Sequence, residues 1–339
     1  MIPYRTRIIL RKAGIAVLAL AMIALVFLLC WFLWLNRYVI YTRTGALLDF
    51  GLSSEFSEGE QPKAPESGPK IEIYYNEGEN MILPGSQELT QLSGIYVTES
   101  MLENSFEEVK SQLSVLQANV PVMLDVKNIR GEFFYFTDLG RNDSAIDPTQ
   151  MTRLISDLKK TNHYLIARLP ALRDYWFGLQ NVNDGIFNPN RLSLWMDEEK
   201  CYWLNPKSQG TLSYLLQIVT ELRDMGFDEV VFSDFSLPPT NNIYFEGDKV
   251  QAINDFAATL VKSCATEGFA VSFQRSSENF VLPDGRSRLY LENVGAADAA
   301  GVVEEMNLEN SAGRLVFLTE LMDTRFDEFS VLRPMQIAN

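Results

Sequence analysis

An alternation governs what this chain can fold into. From about Leu92 onward, short apolar runs take turns with stretches whose apolar residues recur every three to four positions. GIYVT (94–98) precedes SFEEVKSQLSVL, where Ser105 and Glu108 form a capping box and Phe106, Val109, Leu113 and Leu116 share one face. VPVMLDV (120–126) follows. Asp147 and Pro148 then open a helix as N-cap and first residue, with Met151, Leu154, Ile155 and Leu158 inward. HYLIARL (163–169) is the next strand. After a long insertion comes a stripe of Leu212, Leu215, Leu216, Val219 and Leu222, closed by Gly226. EVVFSDFSLP (229–238) follows, then a helix from Asp248 with Val250, Ile253, Ala257, Leu260 and Val261. GFAVSF (268–273), RLYLENV (288–294) and RLVFLTE (314–320) complete the series, with AADAAGVVEEM as a weaker helix before the last.

Repeated βα units with continuously apolar strands imply a parallel sheet covered on both faces. About 250 residues suit a closed α/β (β/α)8 barrel of the TIM type, and no GxGxxG or phosphate loop follows the first strand, as a dinucleotide-binding sheet would want. Seven strands are legible. The eighth is unassigned, and IEIYY (71–75) reads as an accessory strand.

Before the barrel, Ala13–Leu35 is a run of about 23 residues without a charge, the length of a membrane-spanning helix. A cleaved signal peptide would have a shorter apolar region and a small-residue cleavage site. Here WFLWLNRY follows Cys30 instead, with aromatics at the position of an interfacial belt. Arg5, Arg7, Arg11 and Lys12 precede the span, so residues 1–12 are expected in the cytoplasm and the rest outside it. The expected organisation is a tail at 1–12, an anchor at 13–35, a stalk at 36–91 and a barrel at 92–339. The stalk contains SSEFSEGEQPKAPESGP, which has almost nothing to bury.

Charge narrows the partners. Residues 1–44 hold six of the 29 cations and none of the 44 acids, so the remainder has 23 cations against 44 acids, a net of −21. Such a surface repels nucleic acid and anionic head groups. Cys201 and Cys264 are read as a pair in an oxidising compartment or as two buried thiols.

A single histidine, His163, excludes Ser-His-Asp and Cys-His catalysis and the common zinc sites. It falls at the start of its strand, the end of a parallel barrel away from the chemistry. NVNDG (181–185) lacks the order and closing glutamate of a calcium loop and reads as a turn. No motif asks for a metal or cofactor, so chemistry falls to carboxylates, lysine, arginine or tyrosine.

At the carboxyl ends of the strands, Asp125 and Lys127 share one side by the period of two. Arg168 lies one step before its strand's exit and Arg173 and Asp174 just beyond it, while Glu320 and Asp323 follow strand seven. Two carboxylates flanking a glycosidic bond suffice for hydrolysis at separations of roughly 5–5.5 Å or 6.5–9.5 Å. Equally, Asp125, Lys127 and Arg168 read as an ion-pair network tying strands together. Tyr175, Trp176, Phe177, Trp195, Tyr202 and Trp203 crowd the loop after strand three, as a platform for sugar rings or as a loop with its own small core.

Several segments together resemble a bacterial family of glycoside hydrolase-like barrels: GIYVT, VMLDVKN, YLIARLPALRD, WLNP, ELRDMGFDEVVFSDFSLP, GFAVSF and DTRFDEFSVLRP. The resemblance covers about 92–335 and implies a TIM barrel and a carbohydrate substrate. It places the family's strand-two Asp and Lys on Asp125 and Lys127, its strand-three Arg on Arg168 and the following Asp on Asp174. Strand four departs: the family pattern GFDEIQFDYIRFP puts its aspartate on Ser233, its tyrosine on Asp234 and its arginine on Ser236. Asp234 thus stands at the carboxyl end of its strand but with the opposite parity, before Ser-Leu-Pro-Pro.

The expectation is a membrane-anchored, single-pass, extracytoplasmic glycoside hydrolase acting on a cell-envelope polysaccharide. Asp125 with Asp234 or Glu320 would be the acid and the nucleophile or base. Lys127, Arg168, Asp174, Trp176, Trp195 and Trp203 would bind substrate. The rivals are a barrel that binds glycan without cleaving it and a purely structural envelope protein.

Overall fold

A computed structural model describes residues 89–336 except Ser276 and Glu278, together with two short strands nearer the amino terminus. Those two, Val39–Thr42 and Gly45–Leu48, pair antiparallel as a hairpin. The span at 13–35 and the IEIYY strand lie outside the described residues; among those described, no helix is long and apolar enough to cross a membrane.

Within the unit spanning Gly78–Asn339, the described residues form a closed barrel of eight parallel strands. They are β1 (Ser93–Val97), β2 (Val122–Asp125), β3 (Leu165–Pro170), β4 (Glu229–Ser233), β5 (Ala270–Gln274), β6 (Leu289–Glu292), β7 (Leu315–Leu318) and β8 (Ser330–Pro334). Each strand pairs with its neighbours in sequence, and β8 closes on β1 through Val331–Ser93 to Pro334–Tyr96. The eighth strand, SVLRP, had no helical pattern before it to mark it. Only a 3-10 turn, Thr324–Phe326, separates it from β7.

The helices are α1 (Glu99–Ser114), α2 (Pro148–Lys160), α3 (Tyr175–Gln180), α4 (Gln209–Asp224), α5 (Lys249–Cys264), α6 (Ala299–Met306) and α7 (Ser311–Arg314). Asp147 caps α2 through Thr149 N and Asp248 caps α5 through Gln251 N. After α4, Gly226 takes φ +97°, a backbone state that costs glycine little. Helix α1 starts earlier than its capping box predicts. Thr98 is the cap, and Ser105 becomes a kink inside the helix at φ −145°, ψ 36°. A residue suited to capping competes with the helical backbone wherever it stands.

The interior of the barrel is filled by Leu92, Met123, Ile166, Val231, Tyr290, Val316 and Leu332. A buried charge network plugs its amino-terminal end. Arg288 pairs with Glu229, which also accepts from Tyr164 at 3.0 Å and Tyr290 at 2.9 Å. Arg288 further donates to the carbonyls of Gly313 and Thr90. Every charge there is answered, as burial requires. His163 belongs to the same end, buried with Nδ1 2.9 Å from the Val120 carbonyl. Cys201 and Cys264 are free, buried thiols, pushed up by burial to about 12 and about 11.

Candidate functional site

Strand parity determines what reaches the open, carboxyl end. Met123, Ile166, Val231, Tyr290 and Val316 point inward, so Asp125, Arg168, Ser233, Glu292 and Leu318, two residues further on, point inward as well. Arg168 is the centre of this layer. Its Nε and Nη2 grip Asp125 at 2.6 and 3.0 Å, and its Nη1 reaches Glu292 Oε1 at 3.0 Å. Burial opposes the Arg168 charge, but Asp125, then Glu292, outweigh it and hold its pKa above the ordinary value. Asp125 Oδ2 also accepts from the Glu99 amide at 2.8 Å, so one carboxylate takes three donors. Such bidentate pairs are among the stronger polar contacts in proteins.

Beside this clamp lies a cleft of about 540 Å³ bounded by Tyr96, Thr98, Arg168, Glu292, Leu318 and Glu320, among others. The Tyr96 hydroxyl reports its field. Burial raises its pKa first, Glu320 raises it next, and Glu292 and Asp125 add to that against the opposing Arg168. Glu320 sits just past β7, exposed, with no ion pair or hydrogen bond of its carboxylate among the described residues. A larger groove of about 680 Å³ runs between α1 and α2, on the outside of the barrel and away from this convergence.

The other expected site residues go elsewhere. Lys127 does not stay beside Asp125, because β2 ends at Asp125 and Lys127 instead bridges antiparallel to Phe133. Its ammonium meets Asp174 at 2.8 Å, with both side chains fully enclosed. Asp174 caps α3 through the Phe177 amide at 2.7 Å and accepts from Tyr214 at 2.9 Å. Gly131, at φ +80°, allows this approach: a Cβ there would sit 2.1 Å from Asp174 Oδ1. No substrate reaches this pair.

Asp234 stands one residue past β4 at φ +48°, and its carboxylate turns to Arg173 Nη1 at 3.3 Å. Arg173 also holds Asp197 at 2.7 Å and Glu199 at 2.8 Å. The aspartate thus fastens the exit of β4 to the loop after β3 and does not line the cleft. Ser233 keeps the inward position.

The aromatic loop folds over itself. Tyr175 stacks on Tyr202 at 5.4 Å, Phe177 on Tyr214 at 4.0 Å, and Trp195 meets Trp203 edge-on at 6.2 Å. Arg141 covers one face of Trp176 at 3.5 Å, and Trp203 is buried with its indole N–H on Asp197 at 2.9 Å. None of Trp176, Trp195 or Trp203 lines the cleft.

Two residues at this end of the barrel are not among those that the sequence motifs single out. Glu292 is legible from the parity of LYLE, two positions beyond an inward tyrosine. Glu99 had no signal, since its helix was expected to begin seven residues later. It is half-buried at the mouth of the barrel, and its carboxyl is pushed up to about 7 by burial, with Asn128 opposing and Glu103, Asp125 and Asp143 adding. Among the described residues no group of His, Cys, Asp and Glu converges as metal ligands, and NVNDG is a 3-10 turn at Val182–Asp184.

A family model described as "Putative glycosyl hydrolase domain" matches residues 94–274. Similar solved structures include a hypothetical protein from Ruminiclostridium thermocellum, 21% identical over 53% of this chain and 96% of that one, with a TM-score of 0.45. Another is the glycoside hydrolase domain of PelA from Pseudomonas aeruginosa, 13% identical over 72% of this chain and 94% of that one, with a TM-score of 0.44. A third is a beta-N-acetylhexosaminidase from Bacteroides fragilis, 11% identical over 68% of this chain, with a TM-score of 0.49. Of that enzyme's length this chain spans 51%. No curated protein matches the sequence.

Proposed function

Because the chain belongs to the family described as a putative glycosyl hydrolase domain, we propose that its barrel hydrolyses glycosidic bonds in a cell-envelope polysaccharide. The domain acts outside the cytoplasmic membrane, tethered by residues 13–35. Anchoring is supported by the uncharged run and the cations ahead of it.

The observation that carries the reading is that Glu292 and Glu320 line one cleft together with Arg168 and Tyr96. Glycosidases need two carboxyl groups facing the scissile bond, one to donate a proton to the leaving oxygen and one to attack the sugar or activate water. Glu292, held at 3.0 Å by Arg168, serves as the carboxylate. Glu320 has no competing partner among the described residues and serves as the proton donor. Asp125 fixes Arg168 and through it Glu292; it is a positioning residue. Water adds across the cleaved bond, its hydroxyl to the anomeric carbon and its proton to the leaving sugar oxygen.

A second reading, a barrel that binds glycan without cutting it, draws support from Ser233. In the family pattern an aspartate occupies that inward position on β4. The experiment that separates the two incubates the full-length chain with purified envelope polysaccharides and follows released oligosaccharides by mass spectrometry. Products that disappear in Glu292→Gln and in Glu320→Gln are expected. Retention of polymer without any release would replace hydrolysis by binding.

A further inference from the structure

Resting on the glycosidase reading of this cleft, we propose that its substrate is a cationic glycan, one whose sugars carry free amino groups in place of acetamides or uronic carboxylates. The first reason is a charge surplus. Glu292 and Glu320 line the cleft and Asp125 stands directly behind Arg168, the sole cation among the described lining residues. Arg168 is not free to receive an anion, because Nε, Nη2 and Nη1 are each already bound to a carboxylate.

The second reason is that the cleft offers an unpaired acceptor. Among the described residues the Glu320 carboxylate, which lines the cleft, has no hydrogen-bond or ion-pair partner. An ammonium brings donors and no acceptor. It pairs with such a carboxylate and cancels charge, whereas an acetamide cancels none and a uronate adds to the surplus. The net −21 beyond residue 44 has the same sign, so approach of a polycation is favoured at long range and that of a polyanion is not.

The test is calorimetric titration of the full-length chain with three defined hexamers: glucosamine, N-acetylglucosamine and galacturonic acid, at low and at high salt. The glucosamine hexamer is expected to bind about tenfold tighter than the acetylated one at low salt, the order of one charge-assisted contact. High salt and Glu320→Gln should each shrink that ratio. A thermal melt of the variant confirms its fold. Equal or tighter binding of the acetylated or uronic hexamer overturns the inference and leaves a glycan-binding cleft standing. A preference for glucosamine that neither Glu320→Gln nor Glu292→Gln alters also overturns it, since the ammonium then sits elsewhere. If no hexamer binds, the inference falls together with the glycosidase reading.

Discussion

Lys127 and Asp174 meet at 2.8 Å with neither side chain retaining any exposure. The pair is completed by the Pro170 carbonyl on Lys127 and by the Phe177 amide and Tyr214 hydroxyl on Asp174. It pins the turn after β2 to the start of α3 and to α4. Removing one member of such a pair leaves a bare charge in the interior, at a cost of about 3–5 kcal/mol. Urea denaturation should show Lys127→Met losing that much stability. The double variant Lys127→Met, Asp174→Leu should recover part of the loss; recovery stays incomplete because Asp174 also caps a helix. A Lys127→Met melt matching the parent would contradict the buried pairing.

Arg168 spans Asp125 and Glu292 with one planar group, a task that lysine cannot do with a single point charge. Arg168→Lys should therefore keep the fold and the local charge while freeing one carboxylate. On any polymer the parent cleaves, turnover should fall about a hundredfold, the order expected when a reacting group is misplaced by about an ångström. Reducing-end release measures it, with a melt as control. Unchanged turnover would detach the clamp from the chemistry.

The features of this fold that repeat were the ones legible in the sequence. The caps at Asp147 and Asp248 and the left-handed Gly226 stand where their local chemistry placed them, because each depends only on residues within one helical turn. Strand eight was hidden since the helix that would have announced it is absent. Lys127 was assigned to the cleft by extending the period of two past Asp125, where the strand in fact ends; parity holds only as far as the ladder does. Arg168 and Asp125 meet on β2 and β3, as one of the two readings of these residues had them, but Lys127, the third member of that network, pairs with Asp174 instead. The link of Arg168 to Glu292, 124 residues away, needed barrel closure to become visible.

Glu99 supplies a pH dependence whose sign can be worked out. Burial and the surrounding acids raise its carboxyl from an ordinary 4.5 to about 7 in the folded protein. The folded state therefore holds the proton more tightly than the unfolded chain. The contribution to stability is fully present below about pH 4.5 and is lost as pH rises through about 7. Glu99→Gln is neutral at every pH and escapes this loss. Its melting temperature should match the parent near pH 4.5 and exceed it at pH 8, with the gap opening between. A gap that is constant across that range would assign the difference to packing instead of ionisation.

Asp234 ends its strand in the left-handed region, at φ +48°, a conformation that asparagine and aspartate adopt more readily than other residues with side chains. Its contact with Arg173 is partly exposed and weak on the scale of surface ion pairs, under about 1 kcal/mol. Asp234→Asn keeps the backbone preference and should melt near the parent temperature, with glycan cleavage retained. Asp234→Val keeps neither and should cost about 1–3 kcal/mol, since a β-branched residue is strained there. Thermal melts and oligosaccharide release on both variants decide between two roles. Should Asp234→Asn melt normally yet release nothing, Asp234 belongs to the reacting centre, and the pairing of Glu292 with Glu320 is wrong.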